Sequence, residues 1–158
     1  MPSFGVISTQ HLNTATQRLQ DLFHRVVEWY DCSILCGYRP EDQQQAAYLA
    51  GRSQVEWPHS KHNRSPSTAV DAGPWFPDRK VPWPQRPSWL KRLDARDAAE
   101  LNRYIKDLAQ WYHFAGAVEG TAQSMGIRIR WGGDWDRDHV FSNNKFDDLA
   151  HFEEYSET

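Results

Sequence analysis

The sequence predicts an α+β fold, in which a small antiparallel sheet packs with helices. The first observation is that segments with apolar residues at helical spacing lie between short apolar or alternating segments that are typical of strands. The second is that these segments lack the regular strand–helix–strand order of a parallel α/β sheet. A chain of 158 residues fits one domain with one core, so we expect residues 1–158 to form a single unit.

Three elements are predicted in the N-terminal third of the chain. Apolar spacing predicts a helix over 11–30, a strand over 33–38 and a second helix over 41–50. Thr9 or Asn13 can cap the first helix. Gly51 ends the second, because glycine readily adopts the backbone conformation that follows a helix.

The segment 57–88 is rich in proline and tryptophan. It holds seven of the nine prolines, which fix φ and remove a backbone donor, so we expect ordered irregular structure. Residues 69–72 are its one strand-like piece. Three tryptophans are uncommon in a solvated loop, and we expect Trp57, Trp75 and Trp83 to form a rigid wall around the site described below.

The C-terminal half begins with the longest predicted helix, over 97–126, with Gly116 as a potential break. Its apolar spacing predicts a buried face that includes Leu101, Ile105 and Ala115. A half-exposed strand follows over 127–131, then a turn-rich stretch over 134–144 and a final strand over 151–155.

The composition is that of a folded protein without a polyanionic partner. Hydrophobic residues make up 39% of the chain and aromatic residues 13%, which is too apolar for a disordered protein. The net charge of −3 gives no reason to expect nucleic acid, and no apolar run approaches the length of a membrane span. Residues 1–4 lack the features of a secretory signal. We expect a monomer that is made in the cytoplasm, binds no nucleic acid and does not insert into a membrane.

The two cysteines, Cys32 and Cys36, lie four positions apart on the predicted strand. Residues at that spacing on a strand are about 13 Å apart, which is too far for a disulfide. We expect two buried free thiols, with a zinc-binding or redox pair as the alternative.

Two segments far apart in the chain supply the residue types of a hydrolytic zinc site. The first contains His62 and Asp71, and the second contains His151. Two imidazoles and one carboxylate can hold a zinc ion and leave its fourth position open for water. Asp148, three residues before the last histidine, is an acid suited to take the proton of that water.

The pattern around these residues is Ser-x-His at 60–62, Ala-x-Asp at 69–71, and an acidic residue three before a histidine at 148–151. It resembles that of the zinc D,D-carboxypeptidase and L-alanyl-D-glutamate endopeptidase family. This family includes phage endolysins and vancomycin-resistance carboxypeptidases, and it shares its fold with the hedgehog signalling domain. The resemblance covers about residues 9 to 154, with Gly-Tyr-Arg at 37–39 and Trp-Gly-Gly-Asp-Trp at 131–135 as further matches.

The resemblance implies that His62, Asp71 and His151 bind Zn²⁺. It further implies that Asp148 acts as general base and acid, where the family often has Glu. Glu153 is the rival base, although a supporting role fits it better.

Three more residues are implicated around this site. The resemblance implies that Arg39 stabilises the developing oxyanion or anchors a substrate carboxylate, and a surface salt bridge is the alternative. Ser60 and Gln44 are expected to support a ligand or to contact the substrate.

The resemblance implies a zinc metallopeptidase that acts on the stem peptide of bacterial peptidoglycan. A phage or prophage endolysin that cleaves the L-Ala–D-Glu bond is the first expectation. Such an enzyme is made in the host cytoplasm and reaches the wall after the membrane is breached. A D,D-carboxypeptidase that removes terminal D-Ala is the alternative within the family. A non-catalytic, zinc-bearing wall-binding or structural module is the alternative of another class.

A separate acidic motif lies in the turn-rich stretch. Asp134, Asp136 and Asp138 alternate along the chain as the ligands of calcium loops do. His139 stands where an EF-hand requires glycine, and Lys145 stands where it requires glutamate, which excludes an EF-hand. A looser calcium site or a solvated acidic turn remains open.

Overall fold

The strands of the protein form one antiparallel sheet. The computed structural model describes residues 2–92 and 98–156. In these residues the strands are β1 (Cys32–Cys36), β2 (Ala69–Pro74), β3 (Ile129–Gly132) and β4 (Asp148–Glu154), in the order β1-β2-β4-β3. The helices are α1 (Val6–Leu12), α2 (Gln17–Val27), α3 (Glu41–Leu49) and α4 (Ala98–Ser124). Short 3-10 turns occupy Lys61–Asn63, Ser88–Arg92 and Phe141–Asn143. The predicted α+β class is confirmed.

One face of the sheet carries the hydrophobic core. Alternate residues of a strand point to opposite faces, and Ile34, Val70 and Phe152 all join the buried core cluster. Helices α2 and α4 pack against each other and against this face, contributing Phe23 and Phe114. The residues of opposite parity on β2 and β4 therefore face away from α2 and α4. No helix within the described residues is long and apolar enough to cross a membrane.

The first predicted helix is wrong in its continuity, because the chain forms two helices instead of one. The break lies at residues 13–16, where Ala15 forms a bridge with Ser67. The Thr16 amide donates to the carbonyl of Ser67, and the Ser67 amide donates to that of Thr14. These contacts with a distant segment take the amide and carbonyl that a continuous helix would use. Neither Thr9 nor Asn13 is an N-cap, because the N-cap residue of α1 is Gly5 and that of α2 is Thr16.

The longest helix is confirmed, but the predicted buried face of its first half is only partly correct, since Leu101 is half-buried. Ile105 is 52% exposed, whereas Asp107 is buried. The reason is an ion pair between Arg79 and Asp107 at 2.8 Å, which orients this half of α4 toward the preceding irregular segment. Helix α4 also runs without interruption through Gly116, and Ala115 is buried as predicted.

The irregular segment before α4 is held against that helix by Trp111. This side chain is fully buried, and its Nε1 donates to the carbonyl of Pro82 at 2.8 Å. Its ring lies 4.7 Å from that of Trp83. A Cβ at Gly73 on β2 would approach the Trp111 ring to 2.7 Å, so this position requires glycine. Trp111 thus joins α4, the sheet and the irregular segment.

We predict that Trp111→Ala lowers the free energy of unfolding by about 3–5 kcal/mol, because it leaves a large cavity and an unpaired carbonyl. Urea denaturation followed by circular dichroism measures this change. The control is Trp29→Ala at a site that is 58% exposed, which should change stability by no more than about 0.5 kcal/mol. Equal losses in the two variants would contradict the assigned role.

Candidate metal centre and active site

Two of the predicted zinc ligands lie opposite each other on the central strands. Asp71 of β2 and His151 of β4 are paired in the antiparallel register. Both have the parity of the sheet face that points away from α2 and α4. The pairing of two strands therefore brings together side chains that are far apart in the sequence.

The third predicted ligand, His62, comes from the 3-10 turn before β2. Ser60 caps this turn by accepting from the His62 amide, and Asn63 closes the reciprocal bond to the Ser60 amide. The turn is fixed to the end of β1, since the Arg39 amide donates to the carbonyl of His62 at 2.9 Å. His62 itself is 1% exposed.

The ligand atoms of the three residues converge on one point. His62 Nε2 lies 3.0 Å from Asp71 Oδ1 and 3.1 Å from His151 Nδ1, and the last two atoms are 3.4 Å apart. Ligand atoms about 2.0–2.1 Å from a tetrahedral zinc ion are about 3.3 Å from one another. The three atoms therefore have the spacing that a zinc ion requires.

Hydrogen bonds on the far side of each imidazole point the free nitrogens at this centre. His62 Nδ1 lies 2.7 Å from the carbonyl of Gly37, and His151 Nε2 lies 3.0 Å from Glu153 Oε2. A carbonyl and a carboxylate can only accept, so these nitrogens carry the protons. His62 Nε2 and His151 Nδ1 are then lone-pair donors to a metal, as in other histidine metal sites. When both imidazoles are neutral, these two nitrogens and Asp71 Oδ1 are three acceptors that face one another, which is a fitting site for a cation.

Both carboxylate oxygens of Glu153 form hydrogen bonds, one of which orients His151. Its Oε1 accepts from Arg130 Nη2 at 2.5 Å, while its Oε2 faces His151. Burial opposes ionisation of Glu153, but His151 and Arg130 outweigh it and lower its pKa to about 2. A carboxylate with such a low pKa is a poor proton acceptor near neutral pH.

The charges at the centre favour a bound cation. Burial by itself lowers the pKa of His62, but the Asp71 carboxylate and, after it, the Cys36 side chain raise this pKa to about 10. Burial likewise opposes ionisation of Asp71, and the two imidazoles hold its pKa well below the usual value. Without a metal, the centre therefore keeps an ionised carboxylate and binds a proton, which a metal ion would displace.

Asp148 stands at the start of β4, next to the three ligands. The register of β3 and β4 shifts between Trp131 and Gly132, and Gly132 pairs with Asp148. A Cβ at Gly132 would come within 3.0 Å of Asp148 Cβ, so glycine permits this approach. Burial raises the pKa of Asp148, and the nearby charge of Asp71 raises it further. The final strand begins at Asp148, three residues earlier than predicted, and therefore includes the proposed acid.

Arg39 is bonded to a predicted ligand. Its Nη2 donates to Asp71 Oδ2 at 2.8 Å, and its Nη1 donates to Gln44 Oε1 at 3.2 Å. Gln44 is fully buried and donates to the carbonyl of Val55 at 2.6 Å, so it links Arg39 to the 53–55 loop. The Arg39 guanidinium therefore fixes the outer oxygen of Asp71 while its inner oxygen faces the imidazoles.

Two adjoining clefts flank Asp148. One, of about 370 Å³, contains His62 and His151 and is bordered by Trp135 and Phe146. The other, of about 580 Å³, lies on the Asp71 side. Arg39, Arg52 and Asp148 line both clefts.

The predicted aromatic wall is only partly correct. Trp83 lines the cleft on the Asp71 side, but Trp57 and Trp75 line neither cleft. Trp75 lies instead beside the N-terminal residues 3–8. The ring of Trp135 lies 5.4 Å from that of His151, so part of the wall comes from the turn-rich stretch near the C-terminus.

The structure brings all the predicted site residues into one region and adds two. Arg130 was not identified, although its position between Ile129 and Trp131 on an alternating strand placed it on the exposed face. For Cys36 the sequence favours a buried free thiol, with a zinc-binding or redox pair as the alternative. Both cysteines are free as predicted, but Cys36 is only half-buried. It pairs with Asp71 across the strands, and these two residues and His62 offer ligand atoms within 4.8 Å of one another.

Comparisons with known proteins identify a fold. No family model matches the chain, and no curated protein matches it by sequence. Among solved structures, the chain is similar to the L-Ala D-Glu endopeptidase ChiX of Serratia marcescens, with 22% sequence identity and a TM-score of 0.62. The match covers 98% of this chain and 91% of that one. The protein therefore has the fold of that endopeptidase along nearly its whole length.

Proposed function

We propose that the protein is a zinc-dependent peptidase that cleaves the peptide part of bacterial peptidoglycan at the L-Ala–D-Glu bond. The observation that carries the proposal is the convergence of His62, Asp71 and His151 on one point, with Asp148 beside them. The motif resemblance and the fold shared with an L-Ala D-Glu endopeptidase support the choice of substrate.

The three convergent residues would hold the zinc ion. When bound, zinc would lower the pKa of a water molecule and polarise the scissile carbonyl. The chain's own contribution is to fix the two imidazoles through the Gly37 carbonyl and the Glu153 carboxylate.

Asp148 is the proposed general base and acid. Its raised pKa suits a group that must take a proton and return it to the leaving amine. Glu153 is unsuited to this role, because both of its oxygens are bonded and its pKa is low.

Arg39 is proposed to add positive charge where the oxyanion develops. It borders both clefts and is held in place by Asp71 and Gln44.

The clefts on both sides of Asp148 favour an endopeptidase over a D,D-carboxypeptidase. An internal bond requires room for the chain before and after it, whereas trimming requires a closed end beyond the scissile bond. Arg39, Arg52 and Asp148 form the common border of the two clefts, so a peptide can extend across it. We propose that the enzyme acts as a phage or prophage endolysin, which reaches the wall from the cytoplasm once the membrane is breached.

Digestion of purified peptidoglycan tests the proposed function directly. The zinc-loaded protein should leave L-Ala carboxyl termini on the glycan and release peptides that begin with D-Glu, as identified by mass spectrometry. Loss of single D-Ala residues would show the carboxypeptidase instead. Zinc binding without any cleavage would show a non-catalytic module, and either result would overturn the proposal.

We predict that Asp148→Asn keeps bound zinc but lowers the rate of cleavage by about 10²–10⁴-fold, because it removes the proton acceptor. Zinc content is measured by atomic emission and the rate by release of soluble peptides. The matched control is Asp147→Asn, which removes the neighbouring, exposed carboxylate and should leave the rate within a few fold. An unchanged rate in Asp148→Asn would place the base elsewhere.

We predict that Glu153→Gln weakens zinc binding by about 10–100-fold, since the charge that orients His151 is lost. Competition with a chromophoric chelator measures the dissociation constant. Glu154→Gln changes the next carboxylate, which accepts from Thr16, and should bind zinc as the unmodified protein does. Equal affinities in all three proteins would show that Glu153 does not support the metal.

A further inference from the structure

Arg52 borders the candidate active site but has no part in the zinc chemistry proposed above. It lines both clefts, as Arg39 and Asp148 do, and it is exposed to solvent. Exposed arginines are common on protein surfaces, and most of them are simply solvated. A role for Arg52 therefore has to be argued from how the chain positions it and from the charges around it.

The end of helix α3 determines where Arg52 lies. Gly51 has a positive φ of 68°, and its amide donates to the carbonyl of Tyr48 at 3.0 Å. The Arg52 amide donates to the carbonyl of Ala47 at 2.9 Å. These two hydrogen bonds form a Schellman motif, which ends a helix and turns the chain sharply. The backbone of Arg52 is therefore fixed to the last turn of α3.

The buried side chain of Gln44 holds the residues that follow Arg52. Its Nε2 donates to Ser53 Oγ at 2.9 Å and to the carbonyl of Val55 at 2.6 Å. The Oε1 of the same side chain accepts from Arg39 Nη1 at 3.2 Å. The loop after α3 and the guanidinium of Arg39 thus share one support. The backbone at Arg52 is held on both sides, while its side chain lies at the border of the clefts.

The charge of Arg52 is not balanced inside the site, unlike that of the two other arginines that line the clefts. Arg39 pairs with Asp71 at 2.8 Å, and Arg130 pairs with Glu153 at 2.5 Å. The guanidinium of Arg52 forms no hydrogen bond or ion pair with any residue in the part of the chain that the structure describes. An unpaired guanidinium at the edge of a cleft is suited to bind an anionic group of a substrate.

The proposed substrate carries such an anionic group next to its leaving nitrogen. D-Glu in the stem peptide is joined to L-Ala through its amine and continues the peptide through its γ-carboxyl group, so its α-carboxylate is free. The carbon of that carboxylate lies about 2.5 Å from the leaving nitrogen, because both are bonded to the same Cα. Asp148, the proposed proton donor to this nitrogen, lines the same two clefts as Arg52. A peptide aligned for cleavage therefore brings its α-carboxylate to the border where Arg52 lies.

We propose that Arg52 binds the α-carboxylate of D-Glu and thereby selects an acidic residue directly after the scissile bond. This inference rests on the proposed peptidase function. A guanidinium can donate two parallel hydrogen bonds to a carboxylate. The α-amide of D-isoglutamine offers only one acceptor and turns an N–H group toward the donors of the arginine. Peptides with D-Glu should therefore be cleaved faster than peptides with D-isoglutamine.

The test compares two peptides that differ only in this group, acetyl-L-Ala-γ-D-Glu-L-Lys and its α-amide with D-isoglutamine. The zinc-loaded full chain should cleave the acid with a kcat/KM about 10–100-fold above that for the amide. Arg52→Gln should lose this preference, chiefly through a higher KM for the acid, because the carboxylate is bound equally in the ground and transition states. Arg52→Lys should keep part of the preference. The control Arg18→Gln, which removes an exposed arginine that lines neither cleft, should keep all of it.

Three results with an active protein would overturn this role of Arg52 and leave the proposed function standing. The first is an equal kcat/KM of the unmodified protein for the two peptides. The second is an undiminished preference in Arg52→Gln. The third is an equal loss on both peptides in Arg52→Gln, with zinc content and circular dichroism unchanged, which would show a role unrelated to the carboxylate. Cleavage of neither peptide by the unmodified protein would overturn the proposed function itself, and this role of Arg52 with it.

Discussion

The antiparallel pairing of β2 with β4 is the constraint on which the candidate active site depends. It sets Asp71 opposite His151, while Val70 and Phe152 on the same strands point into the core. Since side chains alternate between faces, a slip of one residue would exchange the two sets and place the polar groups among the helices. The apolar core therefore fixes the strand register, and the register fixes the distance between two of the proposed ligands. The position of His62 follows from its turn being bonded to the end of β1.

Bringing three acceptors together is unfavourable, and the surrounding residues reduce that cost. Arg39 offsets the charge of Asp71 at its outer oxygen, and the Gly37 carbonyl accepts a hydrogen bond from the imidazole of His62. Glu153 accepts a hydrogen bond from the other imidazole, and the positive charge of Arg130 balances the charge of this carboxylate. The contacts that hold the ligands also give the two acids of the cleft, Glu153 and Asp148, different pKa values and therefore different roles. Glu153 is kept ionised by its partners, whereas burial and the charge of Asp71 raise the pKa of Asp148.

The parts of this structure that local sequence determines could be predicted, and the parts that distant contacts determine could not. The strands, helix α3 and the convergence expected of His62, Asp71 and His151 follow from apolar spacing and from a motif whose chemistry requires those residues. The break in the first helix depends on Ser67, fifty residues later in the chain. The buried face of α4 depends on Arg79, which pairs with Asp107 and overrides the apolar pattern. Ion pairs of this kind leave no periodic signal, and the role of Arg130 was missed for the same reason.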